Sequence, residues 1–224
     1  GIATAILDEF FMKRIALMLE RLEEGRVTAS LDGLSVREVL ERSTELISRE
    51  QAELDRIWFT DLVPSLMAHG VEILEYGELP PTDRLRVDQW FEREVEPLLT
   101  PLAVDEGHPF PFISNLSTSL GVLLGVPGKN TKQFARIKLP DGLPRMVPVP
   151  HSGRVGVTQD PNRIRFLPLW QLVEANIGAL FPGMEILDSA LFRLTRGAGL
   201  ETGEDDDDEP DLISTVETEL ARRR

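Results

Sequence analysis

The stretch Trp90–Asn115, WFEREVEPLLTPLAVDEGHPFPFISN, is where the organisation of this chain changes. It begins as an amphipathic helix and ends in a segment where Pro97, Pro101, Pro109 and Pro111 fall within fifteen residues. Each proline fixes φ and removes a backbone donor, and the residue before each is pushed out of the α region. Helix cannot continue through such a segment. A rigid junction is predicted here, with a helical domain over 1–104 before it and an α+β domain over 105–224 after it.

Upstream, apolar residues recur with helical period. Leu7, Phe11, Ile15, Met18, Leu19 and Leu22 form one stripe, and Gly25 is a natural stop. Ser35-Val36-Arg37-Glu38 has the form of a capping box. It opens a helix with Val39, Leu40, Leu46, Ile47 and Leu54 as its apolar stripe. Asp61-Leu62-Val63-Pro64 is expected to restart a helix that His69-Gly70 closes, and Thr82 or Asp83 to cap a last one carrying Leu85, Trp90, Val95 and Leu98. The expected architecture is an antiparallel helical bundle, with Phe10, Phe11, Trp58, Phe59 and Trp90 as core packing rather than a ligand box.

Downstream the period falls to two. Leu116, Thr118, Leu120, Val122, Leu124 and Val126 alternate with smaller residues, Pro127-Gly128-Lys129-Asn130 is a turn, and Phe134–Leu139 alternates again. In that second strand Ala135, Ile137 and Leu139 are assigned one face, and Arg136 and Lys138 the other. Further strands are predicted near 146–149, 163–167 and 189–195. A helix is expected over 169–181 with Leu172, Val173, Ile177 and Leu180 inward, and another from Asp211 through Leu220. The fold class is therefore α+β.

Composition limits the function. Hydrophobic residues make up 42% of the 224 and charged residues 28%, which is ordinary for a globular protein. No apolar run approaches the ~20 residues that a membrane span needs. Cysteine is absent, which excludes disulfides and thiolate chemistry and fits a cytoplasmic location. Eight of the fourteen net negative charges lie in Glu201–Asp211 with no basic residue among them, leaving the remainder at −6. Such a run reads as a solvated loop, since it lacks the glycine turn and ligand spacing of a calcium loop. An acidic chain is also ill suited to nucleic acid. The first residue is Gly rather than Met, which suggests a trimmed or fragmentary product.

Few motifs carry chemistry. Gly125–Thr131 holds the ingredients of a phosphate loop, but Asn130 follows Lys129 and the first glycine of the pattern would fall at Leu123, so a hairpin turn explains it better. His69, His108 and His151 have no zinc-ligand spacing, and there is no GxSxG elbow. Neither a catalytic nor a metal-ligating residue is assigned. Arg154, Arg163, Arg165, Arg193 and Arg196 are the candidates for facing an anion, set against the plainer reading of solvent-exposed strand faces.

Several blocks of the chain resemble the long-chain, ATP-dependent polyphosphate kinases. They are Leu7-Asp8-Glu9-Phe10-Phe11-Met12-Lys13-Arg14, the Trp90–Asn115 junction, Phe134–Pro140 followed by Leu143-Pro144-Arg145, Leu180-Phe181-Pro182-Gly183, and Phe192–Arg196. The resemblance implies the N-terminal and middle ("head") domains of such an enzyme, the head incomplete at its C-terminus. The parent would transfer the γ-phosphoryl group of ATP, with Mg2+, onto polyphosphate, through a phosphorylated histidine in its C-terminal half. The implied partners are those C-terminal catalytic domains, polyphosphate by way of the parent, and a second copy through the head domain. The expectation for this chain by itself is that it is non-catalytic and needs no cofactor. The alternative is a stand-alone scaffold or dimerisation module that has lost catalysis. One departure concerns the nucleotide: the family's Asn before Leu-Asp-Glu-Phe is Ile6 here, which can neither donate nor accept a hydrogen bond. Trp170 likewise stands where the family usually has Glu.

Overall fold

A computed structural model of the chain describes residues 2–23, 25, 33–104, 113–128, 131–150 and 163–197. It divides into two compact units, one containing residues 1–62 and the other 63–113 and 117–193. The predicted turn residues Lys129 and Asn130, His108, His151, Arg154, the acidic run and the helix expected from Asp211 lie outside the described residues.

The first unit is helical: α1 (Ile2–Phe10), a π turn (Phe11–Ile15), α2 (Ala16–Glu23) and α3 (Val36–Ile57). The capping box is present as read. The Glu38 amide donates to Ser35 Oγ at 3.3 Å, while the Ser35 amide donates to the Glu38 carboxylate at 2.8 Å. The Ser35 amide, and then the Ser35 hydroxyl at 2.7 Å, donate to the Glu38 carboxylate and hold it below its ordinary range. The first stripe is half-buried at Leu7, Phe11, Ile15, Met18 and Leu22, whereas Leu19 is exposed. On α3, Val39, Leu40 and Ile47 are half-buried, but Leu46 and Leu54 are exposed, contrary to expectation. Leu46 stands only about 20° beyond Val39, at the outer edge of a half-buried face whose centre is shared by Val36, Ser43 and Ile47.

No new helix begins at Asp61. The backbone stays helical through a π turn (Trp58–Leu62) into α4 (Val63–Ala68). The wide turn lies where Pro64 has no N–H to give to the Thr60 carbonyl, so the helix adapts instead of stopping. It also turns Phe59 outward, 67% exposed and not the core residue expected. Gly70, at φ +82°, ends α4 as predicted.

The second unit contains two sheets. Strands β1 (Val71–Ile73), β6 (Ile164–Pro168) and β5 (Met146–Pro148) lie in that order, with β1 parallel and β5 antiparallel to β6. Strands β2 (Pro101–Val104), β4 (Lys132–Lys138), β3 (Thr118–Gly125) and β7 (Glu185–Arg193) form an antiparallel sheet in that order. Helices α5 (Pro81–Trp90), α6 (Leu169–Ala175) and α7 (Ile177–Leu180) complete it. Leu120, Val122 and Leu124 from β3 and Ala135 and Ile137 from β4 are at most 1% exposed, and one core joins them to Val87, Phe91, Leu167, Leu172 and Val173.

The helix expected to start at Thr82 or Asp83 therefore contributes to this core, and residues 63–104 belong to the second unit. The inward residues of that helix are Asp83, Val87, Phe91 and Val95. Leu85 and Leu98, expected inward, are 59% and 55% exposed. A four-residue spacing drifts around a regular helix, and the π turn at Phe91–Val95 brings Val95 back to the buried side. Pro80 occupies the cap and Pro81 the first helical position, so neither Thr82 nor Asp83 is the cap.

Candidate functional site

The strand arginines have very different environments. Arg165 lies in β6 and Arg163 immediately precedes it, two residues away along the extended chain. Arg165 is not solvent-facing: it is 7% exposed, and its Nη2 donates to Asp83 Oδ2 at 2.6 Å. Asp83 is itself fully buried, in the first turn of α5, where the helix N-terminus also favours a negative charge. Arg163 pairs with Glu72 on β1. Near the end of β4, Asp141 holds both Arg145 at 3.1 Å and Lys138 at 3.4 Å. These cations are engaged by carboxylates of their own unit.

Arg136 differs. It lies mid-strand in β4, opposite Leu102 of β2 and Gly121 of β3, and is 4% exposed. Its Nε donates to Ser119 Oγ at 3.0 Å and its Nη2 reaches Ser117 Oγ at 3.5 Å. Burial lowers the pKa of this guanidinium. The sequence reading placed Arg136 on the polar side of the strand, which is correct, but that side is covered. A signal was available on the partner strand, where Ser117, Ser119 and Gly121 are small residues at alternate positions facing the arginine.

Of the assigned candidates, Ile6 and Arg196 belong to the helical unit and Arg193 to the α+β unit. Ile6 is on α1 in the helical unit, 63% exposed. Arg193 is the exposed last residue of β7, opposite Thr118. Arg196 groups with the helical unit, half-buried, its backbone N–H donating to Asn115 Oδ1 at 2.8 Å. His69 uses Nδ1–H to donate to the Ser65 carbonyl at 2.7 Å, a local helix-end bond. Trp170 is half-buried against the core at the start of α6.

A polar cluster that the sequence reading missed surrounds Tyr76. Its hydroxyl donates to both carboxylate oxygens of Asp88, at 2.9 and 3.0 Å, and Asn176 Nδ2 donates to the same carboxylate at 3.2 Å. The Tyr76 amide donates to Gln171 Oε1, and Arg84 stands 5.1 Å over the ring. Burial, reinforced by Asp88, pushes the phenol up to about 12. The cluster ties the segment before α5 to α6.

Among the described residues no group of three His, Asp or Glu side chains could hold a metal ion. No helix among the described residues is long and apolar enough to cross a membrane.

Comparison with known proteins places these elements. Residues 1–74 match the family model of the polyphosphate kinase N-terminal domain, and residues 82–224 match that of the polyphosphate kinase middle domain. Among curated proteins, the polyphosphate kinase of Mycobacterium tuberculosis strain H37Rv is 41% identical over 97% of the chain, which covers 30% of that protein. Polyphosphate kinase 1 of Chlorobaculum tepidum is 37% identical over 100% of the chain and 32% of its own length. The chain thus spans about a third of the curated relatives it matches. The crystal structure of the Porphyromonas gingivalis polyphosphate kinase superposes with a TM-score of 0.76 over 99% of this chain and 32% of that one, at 22% identity, a likeness of fold.

Proposed function

Since the chain belongs to the polyphosphate kinase family, we propose that it supplies the N-terminal and head part of an enzyme that transfers the γ-phosphoryl group of ATP to polyphosphate in the cytoplasm. The observation carrying this reading is the ordered match of both family domains along the chain. The relatives extend over a further two thirds of their length. In this reading the nucleophile, the Mg2+ ligands and the partner contacts that complete the enzyme come from that remainder, and a second copy binds through the head domain. This chain's own part is to hold a rigid platform against it.

The 224 residues by themselves are non-catalytic in this reading. One local feature supports that: Ile6 offers a nucleotide no hydrogen bond. Ile6 also favours the second reading, a scaffold or dimerisation module that no longer takes part in catalysis. A direct test mixes the purified chain with labelled ATP and Mg2+. No phosphate should become attached; stoichiometric, acid-labile labelling overturns the proposal.

A further inference from the structure

Among the described residues, Arg136 is a buried charge whose hydrogen-bond partners are neutral. Arg145, Arg163, Arg165 and Lys138 each face a carboxylate. Among the described residues Arg136 makes no ion pair, and its side-chain hydrogen bonds are those from Nε to Ser119 and from Nη2 to Ser117. Buried arginines are ordinarily paired, and a guanidinium does not escape the cost of burial by giving up its proton. Two serine hydroxyls accept from it, one of them at a weak 3.5 Å.

The surroundings reinforce the imbalance. Ser119 is fully buried and accepts from Arg136 Nε, so its own O–H proton remains to be donated. On the same sheet face, the Phe134 and Phe192 rings close over Gly121. A Cβ there would stand 3.1 Å from Phe134 and 3.4 Å from Phe192. Arg136 therefore shares its face with aromatic carbon and the Ser119 hydroxyl. A planar cation in a weakly polar setting, with donors in excess of acceptors, is the chemistry of an oxyanion receptor.

We infer that Arg136 and Ser119, with Ser117 beside them, form a receptor for a phosphoryl oxyanion, the Nη edge of the guanidinium taking its oxygens. The geometry points to an oxyanion; the choice of phosphate over carboxylate rests on the function proposed above.

The test uses the whole chain. Its thermal midpoint is followed at constant ionic strength in chloride, acetate, inorganic phosphate and tripolyphosphate, and tripolyphosphate affinity is measured by calorimetric titration. Phosphate and tripolyphosphate should raise the midpoint with concentration, as ligands of the native state do, and acetate should not. Arg136→Lys keeps the charge but loses the planar fork, and should weaken tripolyphosphate binding on the order of tenfold. Ser119→Ala should weaken it several-fold, Arg136→Gln should abolish it, and Arg145→Gln should leave it unchanged. If Arg136→Gln does not fold, the lysine and alanine variants decide. The inference is overturned if wild type does not respond to phosphate, if acetate acts equally well, or if Arg136→Lys and Ser119→Ala bind as wild type does. Labelling by ATP would overturn the proposed function without touching this site, and an inert Arg136 would leave that function standing.

Discussion

Replacing Asp83 with Asn removes the counter-charge of a buried arginine while keeping the shape of the side chain. Asp83 is fully buried and Arg165 is 7% exposed, their closest atoms 2.6 Å apart. Neither water nor salt can substitute for the lost carboxylate. Breaking a buried pair from one side costs about 3–5 kcal/mol, a large share of the roughly 5–15 kcal/mol that holds a domain folded. At a urea slope of about 1.5–2 kcal/mol/M, the midpoint should fall by roughly 1.5–3 M. Tryptophan fluorescence can follow the α+β unit by itself. Trp90 and Trp170 belong to it and Trp58 to the helical unit, so a Trp58→Phe background leaves only the relevant probes. Arg165→Met should cost a similar amount, for it strands Asp83. The double variant Asp83→Leu/Arg165→Met should recover most of the loss, because an apolar pair needs no compensation. Arg145→Gln, which breaks an exposed pair, should shift stability by less than about 1 kcal/mol. A fall below about 0.5 M for Asp83→Asn, or a double variant as unstable as the two singles summed, would refute the reasoning.

Three other outcomes are expected. Tyr76→Phe should destabilise the chain by about 1–2 kcal/mol at neutral pH, through loss of a hydrogen bond to a charged acceptor. The folded-state pKa of the phenol is raised to about 12 from an ordinary 10.0, so wild type's advantage is complete below pH 10 and lost between pH 10 and 12. Urea midpoints of the two proteins at pH 8 and pH 11 should therefore converge. Ser35→Ala removes the cap of α3 and should cost about 1 kcal/mol of helix stability, read as increased amide exchange in the first turn of α3. Gly121→Ala places a methyl 3.1 Å from the Phe134 ring and should lower the thermal midpoint of the α+β unit.

Features set by near neighbours were legible in the sequence. The Ser35/Glu38 box, the β3–β4 turn with Gly128 at φ +76°, and the inward set Leu172, Val173 and Ile177 all needed only local pattern. What escaped depended on distant partners. β1 is three residues long and exists because β6, some 90 residues later, lies parallel to it. β2 starts on Pro101, which read as junction, yet a proline is tolerated as the first residue of an edge strand. Asp83 read as a cap because a carboxylate at a helix start usually is one. Its partner is 82 residues away, and no local window contains both.

The arginines show why a candidate site was harder to read than the fold. Alternation assigned Arg136, Arg163 and Arg165 to the polar sides of their strands, and each lies on that side. Periodicity says which way a side chain points and nothing about what covers it. Arg163 and Arg165 are engaged by Glu72 and Asp83. Removing either acid should therefore cost stability and leave anion binding untouched. Arg136 is the reverse case: its neighbours are serines, whose hydroxyls relieve its burial only in part. In a family defined by phosphoryl transfer, the buried arginine that faces no carboxylate among the described residues is the one whose loss should register in binding before it registers in folding.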